Sequence, residues 1–408
     1  MFWIGLYLDG SMVKWAKVSQ NKKNFSIDLM RTFAFSDEKP FCFPQSGIEE
    51  CCCKLISGLP TSQILFREIP IKQTDKRKIY KLLPFQVEPL LPWDQDEAIL
   101  STQIYPGSTP KSSTVAFYAT KKSDLEKHIE LLKSKEADPD ETSCIPAGLW
   151  RFAEHFFPHL SDTLILNVGF SSSTLVGIKD KRPVFSHSFA LGTLPFSEAL
   201  ESEKEEGCFP NLLEVCKKTK PKLYELAKQT VKELDRVFTF VDQKQKTPWS
   251  HIILTGNFST FPLLKNFISH HLPPAMQLHE CESGDSYDGM TLEAYAIAVG
   301  LSLDAYAQDG RSTEFRKKAF ASSSEKKIRL RLLSSFALAC LMLSSTTLLI
   351  SNMYRNQVKN AAIEAFQQSF SYKNKHITSL DDLKLEVELK ERSLLKEKIP
   401  FQLSLPLP

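Results

Sequence analysis

Nine cysteines, at positions 42, 51–53, 144, 208, 216, 281 and 340, are the residues of this chain best suited to holding a metal or forming disulfides. Their number is odd, and they lack the paired spacing that a zinc site or a secreted disulfide framework needs. A reducing compartment is therefore expected. Three adjacent thiols at Cys51-Cys52-Cys53 do not converge on one ion, so that run reads as a helix segment with buried small hydrophobes. Among nine histidines the notable pair is His270-His271, and the Leu272-Pro273-Pro274 that follows marks a helix end rather than a metal site. Ser186-His187 lacks the sharp Gly-x-Ser-x-Gly turn that would expose a nucleophile. The acidic runs Asp138-Pro139-Asp140-Glu141 and Glu201–Glu206 read as solvated loops or helix starts, the second with a face open to a basic partner.

Composition narrows the class further. The 408 residues, 42% hydrophobic and 24% charged, suit two or three domains with real cores. A balance of 51 Lys+Arg against 48 Asp+Glu gives +3, far from the basic excess of nucleic-acid binders. One stretch departs from the average: the segment 332–353 runs from end to end without a charge. A helix of that length crosses a ~30 Å hydrocarbon core. Arg316, Lys317, Lys318, Lys326, Lys327, Arg329 and Arg331 precede it, whereas only Arg355 and Lys359 follow closely. The positive-inside rule then places residues 1–330 in the cytoplasm. The N-terminal stretch lacks the basic and apolar regions of a signal peptide.

The preceding residues alternate strand and helix patterns. Phe2–Leu8, the polar Asp9-Gly10-Ser11 and Val13–Val18 read as a hairpin, since Asp-Gly supplies the positive φ that joins two strands. Thr163–Val168, Gly169–Ser173 and Thr174–Ile178 repeat that design much later in the chain, with Asn167 at the place of Tyr7. An internal duplication accounts for both. His251–Leu254 reads as a buried strand ending in Thr255-Gly256-Asn257, followed by a helix over Phe261–Ile268. Lys222–Asp242 has the spacing of an amphipathic helix. Thr291–Leu301 reads as a small-residue helix able to approach its neighbours closely.

Duplicated hairpins separated by helices resemble the actin-like ATPase superfamily, in which two related α/β lobes face each other across a nucleotide cleft. Within it the chain resembles the PilM-type pilus assembly proteins and the cytoplasmic half of the type II secretion component GspL. The likeness is carried, in order, by the stretches Ile4–Val18, Leu83–Ile104, Ser143–Phe156, Leu164–Ser186, His251–Leu264 and Glu293–Leu303. Glu314–Phe320, EFRKKAF, resembles the short stretch where such cytoplasmic domains hand over to a membrane-anchored partner or to their own span.

That resemblance implies three phosphate loops, and here they depart from it. A strand-end Asp two residues before a Gly would hold hydrated Mg²⁺ in the first loop, but Tyr7 and Asp9 stand at those places. Ser11 and Lys14 match. The second loop has Asn167 for its Asp, with Gly169 and Ser171 retained; the third keeps Thr255 and Gly256 but continues Asn257-Phe258 where two glycines are expected. Phosphoryl transfer needs the metal held and the phosphates admitted together. The expected reading is a degenerate ATPase fold, without catalytic residues, metal or required cofactor, whose remnant cleft comprises Ser11, Lys14, Gly169, Ser171, Thr255 and Gly256. Retained ATP binding, as in a nucleotide-binding PilM-like protein, is the alternative.

The fold expected is thus α/β, a duplicated actin-like (ribonuclease H-like) two-lobed arrangement followed by one transmembrane helix and a short helical tail. Its parts are lobe I over 1–160, lobe II over 161–310, a basic juxtamembrane linker over 311–331, the span over 332–353 and a periplasmic helical tail over 354–408. In the tail, 355–367 and 377–395 read as polar helices, and the stretch after Met353 is too short for the small periplasmic domain of GspL-like proteins. The resemblance implies an inner-membrane platform component of a type II secretion or type IV pilus-like machine. Its expected partners are the cytoplasmic assembly ATPase, PilN- or GspM-like membrane proteins and the membrane itself, in a dimer or higher oligomer without nucleic acid.

Overall fold

Gly10, at φ +62°, lets the chain reverse between two strands, the first of which is buried on both faces. The computed structural model describes residues 2–21, 24–35, 41, 53–202, 221–244, 249–257, 268–269, 272–274, 276–281, 291–307, 309–317, 320–321, 323–369 and 379–397. The first strands are β1 (Phe2–Asp9), β2 (Met12–Asn21), β3 (Asn24–Ala34) and β4 (Cys53–Leu59), followed by β5 (Leu65–Ile71), α1 (Lys76–Val87), β6 (Ala98–Pro106) and β7 (Ser113–Lys121). Next come α2 (Lys122–Ser134), β8 (Glu141–Cys144) and α3 (Ile145–Phe156). Strands β1 to β3 pair antiparallel, and β4 and β8 add in parallel to give the order β3-β2-β1-β4-β8. Between β4 and β8 the chain builds a separate antiparallel sheet, β5-β7-β6, which the sequence reading did not resolve. Ile79, Leu83 and Val87 of α1 pack in its core.

The second half repeats the plan. It comprises β9 (Thr163–Val168), β10 (Ser173–Lys179), β11 (Arg182–Phe189), α4 (Leu194–Ser202), α5 (Pro221–Lys244), β12 (His251–Gly256), β13 (Gln277–His279) and α6 (Ala296–Ala307). Its sheet order is β11-β10-β9-β12-β13, with the same pattern of antiparallel and parallel neighbours. Both sheets therefore have the order 3-2-1-4-5, the duplicated ribonuclease H-like plan of actin-like proteins. The helical reading of the cysteine run is corrected at Cys53, which opens β4 opposite Phe2. Pairing with the buried hairpin outweighs local preference there; Cys51, Cys52, Phe261–Phe267, His270 and His271 lie outside the described residues.

Helices α3 and α6 form the contact between the two sheets. They approach so closely that a Cβ on Gly300 would sit 1.9 Å from the Gly148 carbonyl oxygen. Around this crossing Tyr7, Trp150, Ile165, Ile253 and Tyr295 join one core. Beside it, Arg151, only 3% exposed, reaches Asp304 of α6 at 2.9 Å and Asp309 at 2.8 Å. Its guanidinium lies 4.3 Å from the Trp150 ring centroid. Against the cost of burial, Asp304 and Asp309 hold Arg151 charged, and the guanidinium groups of Arg151 and Arg311 keep Asp309 well below the usual carboxylate range.

After α6 the chain crosses back as a strap. Gln103 on β6 donates to the Arg311 carbonyl at 2.6 Å, and the Glu314 N–H donates to Ser101 Oγ at 3.0 Å. On the other side the Phe315 N–H donates to the Thr142 carbonyl of β8 at 2.8 Å. Phe315 is fully buried, and Arg316 pairs with Asp138 at 2.7 Å. Residues 314–316, at the start of the stretch expected to hand over to a membrane segment, are thus packed between two sheets.

The chain divides into compact units at Met1–Glu325 and Lys326–Pro408. Helix α7 (Ser323–Ser369) contains Leu333–Ala365, a stretch long and apolar enough to cross a membrane, with an 18-residue window of mean hydropathy 1.9. Ser344, Ser345, Thr346 and Thr347 donate to carbonyls one turn back, at 2.8 to 2.9 Å, so each hydroxyl is satisfied within its own helix. A polar helix, α8 (Leu380–Glu397), follows with Leu385 and Leu389 exposed.

The strap carries a pH dependence. Burial, with Glu141 nearby, pushes the Glu314 carboxyl up to about 8. The native state therefore keeps a proton that the unfolded chain releases near its ordinary value of about 4.3, and stability falls as pH rises from there towards 8. Glu314→Gln is expected to flatten this slope in thermal unfolding between pH 5 and 8.5. The gain at the upper end should be on the order of 2 kcal/mol.

Candidate functional site

The two hairpin turns meet. Asp9, at the end of β1, is 5% exposed, and its Oδ1 accepts a hydrogen bond from the Phe170 N–H at 2.6 Å. The Ser171 N–H and the Asn257 side chain also hold this carboxylate. A Cβ on Gly169 would lie 2.6 Å from Asp9 Oδ1, so glycine is what admits the carboxylate to the turn. Consecutive backbone N–H groups of this kind form an anion-binding nest. Here the anion is a side chain of the other lobe.

Lys14 supplies the countercharge. It lies opposite Tyr7 in the first hairpin and is 1% exposed; its Nζ donates to Asn257 Oδ1 and, at 3.0 Å, to the Ala294 carbonyl. Burial lowers the Lys14 ammonium to about 8, opposed by Asp9. Burial raises the Asp9 carboxyl, opposed first by Lys14 and then by the amides of Phe170 and Ser171. Each charge thus offsets part of the other's desolvation cost.

The remaining loop positions are engaged within the protein. Tyr7 is 2% exposed, and burial holds its phenol protonated far above its ordinary range. An aromatic ring therefore fills the place where a metal-binding carboxylate is expected. Asn167 Nδ2 donates to Thr255 Oγ1 at 3.1 Å, and Thr255 donates to the Leu166 carbonyl at 3.3 Å, tying β9 to β12. Gly256 closes β12 at φ +96°. Of the six residues expected to line the cleft, Lys14, Gly169, Ser171, Thr255 and Gly256 lie at or beside the junction of the hairpins and the β12 end. Ser11 is exposed at the first turn, with its carbonyl accepting the Phe35 N–H at 2.6 Å. Phe258 lies outside the described residues.

Asp9 and Asn257 were legible only as misfits: an acid and an amide at positions where glycines belong. Their partners, Phe170 for the acid and Lys14 for the amide, stand far away in the chain, so neither pairing had a local signal. Among the described residues there is no group of three or more His, Cys, Asp or Glu able to hold a metal ion. A cavity of about 100 Å³ beside α3, lined by Trp150, Phe157, Ile178 and Lys181 among others, is smaller than the ~300–1,000 Å³ of small-molecule sites.

The fold and the site together define a two-lobed α/β protein with an actin-like fold, in which the two hairpin turns and the end of β12 bind one another. No family model matches the chain, and no curated protein matches it in sequence. Among solved structures, one chain of the PilM-PilN type IV pilus biogenesis complex matches at 17% identity and a TM-score of 0.54, covering 74% of this chain and 97% of that one. The cytoplasmic domain of EpsL, an inner membrane component of the type II secretion system of Vibrio cholerae, matches at 10% identity and a TM-score of 0.39, covering 78% and 100%. The ethanolamine utilization protein EutJ from Carboxydothermus hydrogenoformans matches at 11% and 0.38, covering 74% and 89%. The first of these shows that the lobes share the fold of the PilM-PilN structure.

Lys14→Met removes the cation and leaves the Asp9 carboxylate buried. The expected loss is about 3–5 kcal/mol in denaturant unfolding, with part of it recovered in Asp9→Asn/Lys14→Met.

Proposed function

We propose that this chain is a membrane-anchored assembly-platform component of a type II secretion or type IV pilus-like machine, working as a scaffold and not as an ATPase. The observation that carries the reading is the Asp9 carboxylate seated on the Phe170 amide, at the position where the fold would place a phosphate. A phosphate entering there would displace a buried carboxylate and meet its charge. Tyr7 and Asn167, meanwhile, leave the strand ends without the acids that hold Mg²⁺. A fold shared with a PilM-PilN structure and the apolar stretch Leu333–Ala365 support the platform role.

In this role the lobes are a rigid body in the cytoplasm and α7 spans the inner membrane once, with α8 in the periplasm. The strap joins them: Phe315 and Arg316 anchor it in lobe I shortly before α7 begins. Load from a cytoplasmic secretion ATPase docked on the lobes would pass through the strap to the span and to PilN- or GspM-like partners.

Two measurements test the reading. Calorimetry of the full chain in detergent should give no saturable heat with Mg-ATP up to about 1 mM, a range that would detect Kd values of practical interest. Asp9→Gly, which empties the amide nest, should gain binding of inorganic phosphate or ATP. Micromolar binding by the unaltered chain, abolished by Lys14→Ala, would instead favour a nucleotide-binding protein. For the platform role, the full chain should retain the N-terminal region of a secretion ATPase from the same genome in a pull-down; absence of any association counts against it.

A further inference from the structure

Helix α1 buries Ile79, Leu83 and Val87 against the small sheet β5-β7-β6. Its other side is open. There Phe85 is 73% exposed and Leu82 45%, with Arg77, Lys78 and Lys81 exposed beside them, while Tyr80 and Lys76 are exposed at the flank of the buried trio. At about 3.6 residues per turn Phe85 stands opposite the buried trio, with Lys78 and Lys81 flanking it. The segment 76–87 contains four basic side chains and no acid.

Several local choices here work against the stability of the helix. Asp75 caps the helix, accepting the Arg77 N–H at 2.8 Å, but behind it basic side chains crowd the first turns, where the helix dipole favours acids. Pro84 lies in the helix interior and removes a backbone donor. A phenylalanine and a leucine face water on a protruding crest. Recognition of an anionic surface with an apolar layer beneath it accounts for the outward basic side chains and for the exposure of Phe85 and Leu82 together.

We propose that the outward crest of α1 docks on an anionic phospholipid surface. Phe85 and Leu82 would enter the boundary of the acyl chains while Lys78, Lys81 and Arg77 stay at the phosphates, their stems lying along the apolar layer. A crest suits a bilayer, which needs no complementary groove, better than it suits a folded partner. The choice of a bilayer over an acidic protein rests on the membrane-anchored reading above, because a chain carrying Leu333–Ala365 meets lipid headgroups at high local concentration. Each basic residue near such a surface contributes about fivefold to binding.

The full chain reconstituted in phosphatidylcholine nanodiscs, with and without phosphatidylglycerol, tests this through amide exchange of residues 76–90 and acylation of Lys78 and Lys81. The expected result is slower exchange and reduced acylation in the anionic discs only. Lys78→Glu/Lys81→Glu, and separately Phe85→Ser, should abolish the difference while exchange in β1 and β2 stays unchanged. Equal exchange in both discs overturns the docking and leaves the anchor standing. Protection that appears in both discs only when a secretion ATPase is added overturns it in favour of a protein partner. A chain that fails to enter discs counts against the anchor; flotation with vesicles of the same two compositions then decides the docking. Flotation with anionic vesicles alone, weakened at least about 25-fold by the double charge reversal, supports it, and no flotation overturns it.

Discussion

A carboxylate buried between two lobes has to be given hydrogen bonds and a countercharge, and most of this cleft is arranged around that requirement. Asp9 takes its donors from the turn of the other hairpin and its cation from Lys14 in its own. Lys14 in turn needs acceptors, which Asn257 and the Ala294 carbonyl provide. The first hairpin, the second hairpin, the end of β12 and the turn before α6 are therefore held at one point. A hydrophobic core at the α3–α6 crossing supports the same alignment from below, and a Thr61–Thr174 hydroxyl contact at 2.9 Å adds to it beside the second hairpin.

The junction and the strap are different solutions to joining parts of a chain. At the junction a few buried polar atoms carry the connection, so a single substitution has a large expected effect. Along the strap the connection is spread over backbone pairing to Thr142, side-chain bonds to Ser101 and Gln103, and the burial of Phe315. The Arg151 cluster links both: it ties α3 to α6 and reaches Asp309 just before the strap begins.

Much of the architecture was legible because it is local. Asp9-Gly10 and Gly169–Ser173 announce their hairpins, the return of the Phe2–Val18 design at Thr163–Ile178 announces the duplication, and the uncharged run beginning at residue 332 announces α7. What escaped was set by distant pairing. Cys53 became a strand residue because β1 needed a parallel neighbour, and the β5-β7-β6 sheet depends on pairing between segments separated by α1. At the site, types at given positions showed which groups were missing for metal binding. They did not show that Asp9 would be received by a backbone amide, since that amide lies in the other half of the chain.

An anion that is part of the polypeptide is present at the same effective concentration whenever the protein is folded. On the scaffold reading proposed above, the alignment of these lobes would not vary with the cell's energy charge, and no exchange factor or hydrolytic event would be needed to set or reset it. Aspartate and glycine codons differ by one base, so on that same reading a joint independent of metabolites and a joint that waits for one would stand a single point mutation apart at residue 9.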